Sequence, residues 1–179
     1  MTSSFDEKLD AALKREDWIS ARRLLQTALK REPHDHWLLT RLATTYYEDR
    51  DYDTALRFSE KAFSEQPDCP LVLWDYASAL DMTGQTEAAI EVWKQLVDAG
   101  AESIAANECS EGLRWAKSLV NDSRYRIALA YGDLGQNRLA VRYLRDHLWH
   151  RTSGLPSLYQ RREVKERLER LVETVAAAS

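Results

Sequence analysis

Turn residues recur along this chain at a fixed step. Asp17, Asp51 and Gln85 are spaced 34 residues apart, and Pro33 and Pro67 keep the same interval. A period of this length confines the chain to a stack of small supersecondary units, because one such unit cannot bury its own apolar face and must be covered by its neighbours. Six glycines and four prolines in 179 residues leave long stretches without a breaker, and the abundant Ala, Leu, Arg and Glu favour helix. Apolar residues at helical spacing fill the intervals between four turns: Glu16-Asp17, Asp49-Arg50-Asp51, Thr83-Gly84-Gln85 and Leu134-Gly135-Gln136. Strand signals are nearly absent, so the expected class is all-α, with about nine helices.

Laying residues 36–69 over 70–103 brings Leu39, Leu42, Ala43 and Tyr46 onto Leu73, Tyr76, Ala77 and Leu80. In the second halves Ala55 falls on Ala89 and Ala62 on Leu96, and residues 2–35 supply Ala21 and Ala28 at the same places. A fourth copy, 121–154, places Ile127, Ala128 and Tyr131 before the Gly135 turn and Ala140, Leu144 and Leu148 after it, with His147 where Ala28 and Ala62 stand. This pattern resembles the tetratricopeptide repeat. The resemblance implies a right-handed α-solenoid of antiparallel helix pairs in a single domain, with repeats 2–35, 36–69, 70–103 and 121–154, an insert 104–120 and a capping helix 156–178. Small Ala43 and Ala77 in first helices would meet Ala55 and Ala89 in second helices. Pro33 and Pro67 would then end second helices, since proline disfavours helix at the residue before it.

Two segments fall outside the repeat. Leu113, Ala116, Val120, Ser123, Ile127, Ala130 and Leu134 recur at three or four residues, which predicts that the insert extends the fourth copy's first helix back to about Ser110. The alternative is a break at Asn121-Asp122-Ser123, a capping sequence that would leave a separate short helix carrying Trp115. After the fourth copy, Ser153-Gly154-Leu155-Pro156 stops one helix and starts another. Its apolar stripe is Leu158, Val164, Leu168, Leu171 and Val175, with Arg161, Arg162, Lys165, Arg167 and Arg170 outside it, which suits a terminal cap. A basic amphipathic docking helix is the other reading, diluted by Glu163, Glu166 and Glu169.

Charge and composition narrow the function. Twenty-five basic against 29 acidic residues give a net charge of -4, which offers no general ground for binding nucleic acid or an acidic membrane. The balance is uneven: residues 1–120 carry 14 basic and 22 acidic residues, and residues 121–179 carry 11 and 7. Cys69 and Cys109 are too few for a disulfide scaffold or thiolate zinc site and fit free thiols in a reducing compartment. Met1 to Lys14 holds Asp6, Glu7 and Asp10 and no uninterrupted apolar run, unlike a signal or transit peptide. A soluble cytoplasmic protein is expected.

No phosphate-cradling glycine loop, paired His/Glu zinc motif or nucleophile elbow is present. His147 and His150 lack a third ligand at a recognisable spacing, and His147 reads better as wedged between helices. In His34-Asp35-His36 the aspartate suits a helix cap. Cys109 stands beside Glu108 and Glu111, which would raise a thiol pKa, and Asp122 and Arg126 are spaced for a helix-surface ion pair. No enzyme activity, metal or cofactor is therefore expected. Of the six tryptophans, Trp18 and Trp93 suit packing, and Trp149 suits packing against the cap.

Trp37 and Trp74 are placed differently. The resemblance implies that the second, fifth, ninth, twelfth and thirteenth places of each first helix line a concave groove. Those places hold Trp37, Thr40, Thr44, Tyr47 and Glu48 in the second repeat; Leu71, Trp74, Ser78, Asp81 and Met82 in the third; and Asp122, Tyr125, Leu129, Gly132 and Asp133 in the fourth. An aromatic floor with acidic spots suits an apolar peptide or protein segment with basic flanks, unless the insert or a second subunit covers it. The Lys, Asn and Arg clamp by which one subclass holds chaperone carboxylates maps onto Asp6, Asp10, Arg41, Leu71 and Asp75. Moved one repeat later it maps onto Thr40, Thr44, Asp75, Asp122 and Arg126. A carboxylate tail would meet mostly acids. The expected function is a non-catalytic protein-interaction adaptor. A self-associating structural subunit, joined through its unlike charged ends, is the alternative, followed by an RNA-binding repeat protein.

Overall fold

The computed structural model describes residues 4–151 and 154–178. The first two residues assigned to the first repeat, and Ser153 of the stop before the capping helix, lie outside the described residues. Those described form nine α-helices and no strand. They divide into two compact units, one ending at Thr83 and one beginning at Gly84, so the division falls within the third repeat copy.

The first unit contains α1 (Phe5–Lys14), α2 (Trp18–Leu29), α3 (His36–Glu48), α4 (Tyr52–Glu65) and α5 (Pro70–Met82). Its helix starts are written in the sequence. Asp17, Asp35 and Asp51 each accept a hydrogen bond from the backbone N–H three residues on, at 3.1, 3.0 and 3.2 Å, filling a donor that the helix itself leaves unpaired. Ser4 and Glu7 bond reciprocally at α1, and Pro70 opens α5, where a missing N–H costs nothing. The turns before α2 and α4 pass through Glu16 (φ 55°) and Arg50 (φ 62°), left-handed conformations that cost a side chain energy.

Burial in this unit follows the repeat register. Leu9, Ala12, Ala21, Leu25, Leu38 and Leu42 form a core on which Phe5, Leu24, Trp37 and Tyr46 pack. Ala43 and Ala55 are buried where α3 packs on α4, as expected of small residues at a close helix crossing. Arg22 ties α2 to the end of α3: it donates to the Thr45 carbonyl (2.7 Å) and to Asp49 (2.8 Å), and its guanidinium lies 4.1 Å from the Tyr46 ring centroid.

The second unit contains α6 (Thr86–Ala105), α7 (Leu113–Asp133), α8 (Asn137–His150) and α9 (Arg161–Ala177). Trp93, Leu96, Ile127, Leu144 and Val164 are fully buried in it. α6 is broken at Gly100, whose φ of 75° interrupts the helical ladder. α7 is continuous through Asn121-Asp122-Ser123, which are buried rather than capping, so the extended helix holds and the break does not. It begins at Leu113 rather than Ser110, because Gly112 (φ 96°) turns the chain first. The capping helix likewise begins later than expected, at Arg161; residues 155–160 are irregular, and Leu158 lies outside the helix, exposed, instead of on its apolar stripe. Val164, Leu168 and Leu171 keep to the stripe and pack against α7 and α8.

Candidate functional site

In the first unit the expected groove places fall on one face of α3 and one of α5. Helical spacing puts Trp37, Thr40, Tyr47 and Glu48 on the same side as Thr44, and Leu71, Ser78 and Met82 on the same side as Asp75. The two sides meet where the Thr44 hydroxyl lies 2.7 Å from Asp75 Oδ2 and 2.9 Å from the Thr40 carbonyl. Burial pushes the Asp75 carboxyl up to about 6 and nearby Glu48 adds to this, although the Thr44 hydroxyl and the Arg41 guanidinium favour its charge. Asp75 lies at this junction although it is not among the expected groove places. In the two registers of the chaperone clamp it takes the place of a cation or of an asparagine, and an acid there was the available signal.

The remaining side chains of this face differ in what they can offer. Thr40 and Ser78 are buried and donate to carbonyls of their own helices, those of His36 (2.7 Å) and Trp74 (2.8 Å). Trp74, Leu71 and Asp81 are partly exposed, and Glu48 and Met82 are exposed. Tyr47 is held edge-on to Tyr52 at 5.2 Å. Trp37 carries the Arg41 guanidinium at 5.4 Å and forms one wall of a 560 Å³ pocket whose lining includes Phe5, Leu24, Thr27 and Arg31.

The fourth-repeat places are not an open groove. Asp122 is 3% exposed and accepts hydrogen bonds from the Ser157 hydroxyl (2.6 Å) and the Leu158 N–H (2.9 Å). Tyr125 is 6% exposed and lies 4.1 Å from the Tyr159 ring. Leu129 packs with Leu168 and Leu171 in the cluster that α9 closes, while Gly132 is half-buried and Asp133 exposed. The irregular segment before α9 therefore covers the floor that Asp122 and Tyr125 were expected to provide. Asp122 is also not half of a surface ion pair, being buried, and the Arg126 guanidinium lies over the Trp93 ring at 4.9 Å.

Beneath that cover is a polar cluster. His147 is fully buried, its Nδ1 2.8 Å from the Asn121 carbonyl, as a histidine wedged between helices should be. That carbonyl can only accept, so Nδ1 carries the proton. Burial pushes His147 down and Asp122 up, each toward its neutral form. The Ser157 hydroxyl donates to Asp122 rather than to an imidazole, so serine, histidine and aspartate here form no activated nucleophile. Trp149, expected to pack against the cap, is 83% exposed instead.

Family models described as tetratricopeptide repeat match residues 7–56 and 46–107. A tetratricopeptide repeat protein from Parabacteroides merdae is similar in structure, with a TM-score of 0.66 at 20% identity over 95% of this chain and 59% of that one. A putative kinesin light chain from Podosopora anserina, with nearly identical TPR-like repeats, gives 0.65 at 18% identity over 97% and 95%. The TPR2AB domain of yeast Sti1 in complex with pHSP90 gives 0.55 at 23% over 76% and 45%. At such identities the likeness shows the fold. No curated protein matches the chain. Among the described residues, no helix is long and apolar enough to cross a membrane.

Proposed function

The chain belongs to the tetratricopeptide repeat family, and from that premise we propose that its α3–α5 face holds an apolar segment of a partner protein flanked by Lys or Arg. The family is a protein-interaction scaffold, and its fold is non-catalytic. The observation that carries the reading is Asp75, a carboxyl held partly buried between α3 and α5. A ligand cation brought to it would add to the Arg41 guanidinium in favouring the charged form against burial. Trp74 on α5 and Tyr47 on α3 offer rigid aromatic area, which loses little side-chain entropy on binding, and Glu48 and Asp81 add negative charge.

The test is titration with a labelled peptide of leucines flanked by lysines, beside its glutamate-flanked counterpart. The lysine peptide is expected to bind tighter at pH 7 and to weaken as the pH falls through about 6, where Asp75 takes up its proton and stops attracting a cation. Trp74→Ala should weaken it by about 2 kcal/mol, the loss of a central aromatic anchor. Tighter binding of the glutamate peptide to this face, or unchanged affinity in Trp74→Ala, would remove the proposed site.

A further inference from the structure

The second unit has a concavity that no repeat position accounts for. It measures 460 Å³ and lies between the break in α6, the first half of α7 and the end of α8. Its walls combine apolar and cationic groups: Trp149 and Leu155, with Lys117, Arg124 and His150, and Gly100 where α6 breaks. The insert that lengthens α7 supplies Lys117, so this pocket belongs to the part of the chain that departs from the 34-residue step.

Two features set it apart from ordinary surface. An indole on a helix that otherwise buries Ala140, Val141, Leu144 and His147 is left 83% exposed at the pocket edge. Trp149 therefore contributes little to holding the fold, while offering the amphipathic area typical of interaction hot spots. The charge is locally one-sided as well. Lys117 and Arg124 face the single carboxylate of Glu102 in the lining, and burial holds the Arg124 guanidinium below its ordinary pKa despite nearby Asp146, so a further anionic group would relieve it.

We propose that the Trp149 pocket is a second binding site, which takes a short segment of a partner protein in which a large apolar side chain stands beside Asp or Glu. The apolar side chain packs on Trp149 and Leu155, and the carboxylate pairs with Lys117 and Arg124. A protein segment fits better than nucleic acid. From Gly84 onward the unit carries 14 basic and 13 acidic residues, without the basic stripe that tracks a phosphate backbone, and Trp149 is the one Trp, Tyr or Phe side chain in the lining where a single strand would need successive platforms. The charge preference is opposite to that of the α3–α5 face, so an adaptor with both sites would hold two chemically different segments.

The experiment uses the full chain and three fluorescein-labelled probes: a peptide of Leu and Phe flanked by glutamates, the same peptide with lysines in their place, and oligothymidylate. The glutamate peptide is expected to bind the wild type and to lose at least tenfold in affinity in Trp149→Ala and in Lys117→Glu. Both side chains are exposed, so the melting temperature should not move. Trp74→Ala should leave the glutamate peptide unaffected, and Trp149→Ala should leave the lysine peptide unaffected, which separates failure of this site from failure of the α3–α5 face. The proposal is overturned if Trp149→Ala binds the glutamate peptide as well as the wild type does. It is overturned equally if the lysine peptide prefers this pocket, or if oligothymidylate binds more tightly than the glutamate peptide and is released by Lys117→Glu.

Discussion

Trp74 in the first unit and Tyr125 in the second hold the fifth place of their first helices. Trp74 stays partly exposed on α5 next to Asp75, a carboxyl that accepts from the Thr44 hydroxyl. Tyr125 is buried under Tyr159, next to a carboxyl, Asp122, that takes both a hydroxyl and a backbone N–H from residues 157 and 158. Equivalent register therefore sets which way a side chain points without deciding what lies over it. In the second unit the chain doubles back and supplies its own cover, so the fourth-repeat face is core.

The largest expected consequence is in stability. Tyr125→Ala should destabilise by about 3–5 kcal/mol, the usual cost of emptying a buried aromatic site, whereas Trp74→Ala should cost under about 2 because part of the ring is already in water. Denaturant unfolding followed by circular dichroism measures both, and equal losses would show that the two faces are packed alike.

A smaller effect separates the carboxyls by pH. The folded Asp75 carboxyl titrates near 6, above its ordinary 3.8, so the folded state holds this proton more tightly than the unfolded chain does. Its contribution to stability is full below about 3.8 and is lost as the pH rises through about 6. Asp75→Asn should therefore stabilise the protein at pH 7 by about 1–2 kcal/mol after allowance for solvent screening. That gain should fade by pH 4. A pH-independent difference would mean that Asp75 is not held in the setting described.

The smallest effect lies in the helix-pair turns. The first unit uses Glu16 and Arg50 in left-handed conformations followed by capping Asp17 and Asp51; the second uses Gly84 and Gly135 followed by Gln85 and Gln136, whose side chains make no capping bond. Arg50→Gly should stabilise by about 0.5–1 kcal/mol, since glycine adopts this conformation without the Cβ penalty. Gly135→Ala should destabilise by about 1 kcal/mol through torsion alone, because a Cβ there meets nothing within 4 Å. Thermal melts with reversed signs would mean that the turns are not equivalent.

Much of this molecule is local, and local order is legible in a sequence. Helical spacing and the repeat register placed Ala43, Ala55, Ala77 and Ala89 in buried positions, Asp35 at a helix start, Asp17 and Asp51 in turns, and His147 in the interior, because each depends on neighbours three or four residues away or on a register repeated every 34. The positions that went astray depend on chain far off in sequence. Whether Asp122 and Tyr125 face water was decided by Ser157, Leu158 and Tyr159, more than thirty residues later, and periodicity carries no signal for which segment returns to which face. Trp149 came out exposed for the same reason: the cap it was expected to meet starts at Arg161, and its apolar stripe settles on Tyr125, Ala128 and Leu144 instead. Burial is a property of the assembled surface, so only the tertiary structure could distinguish a face that is open from one that the chain fills itself.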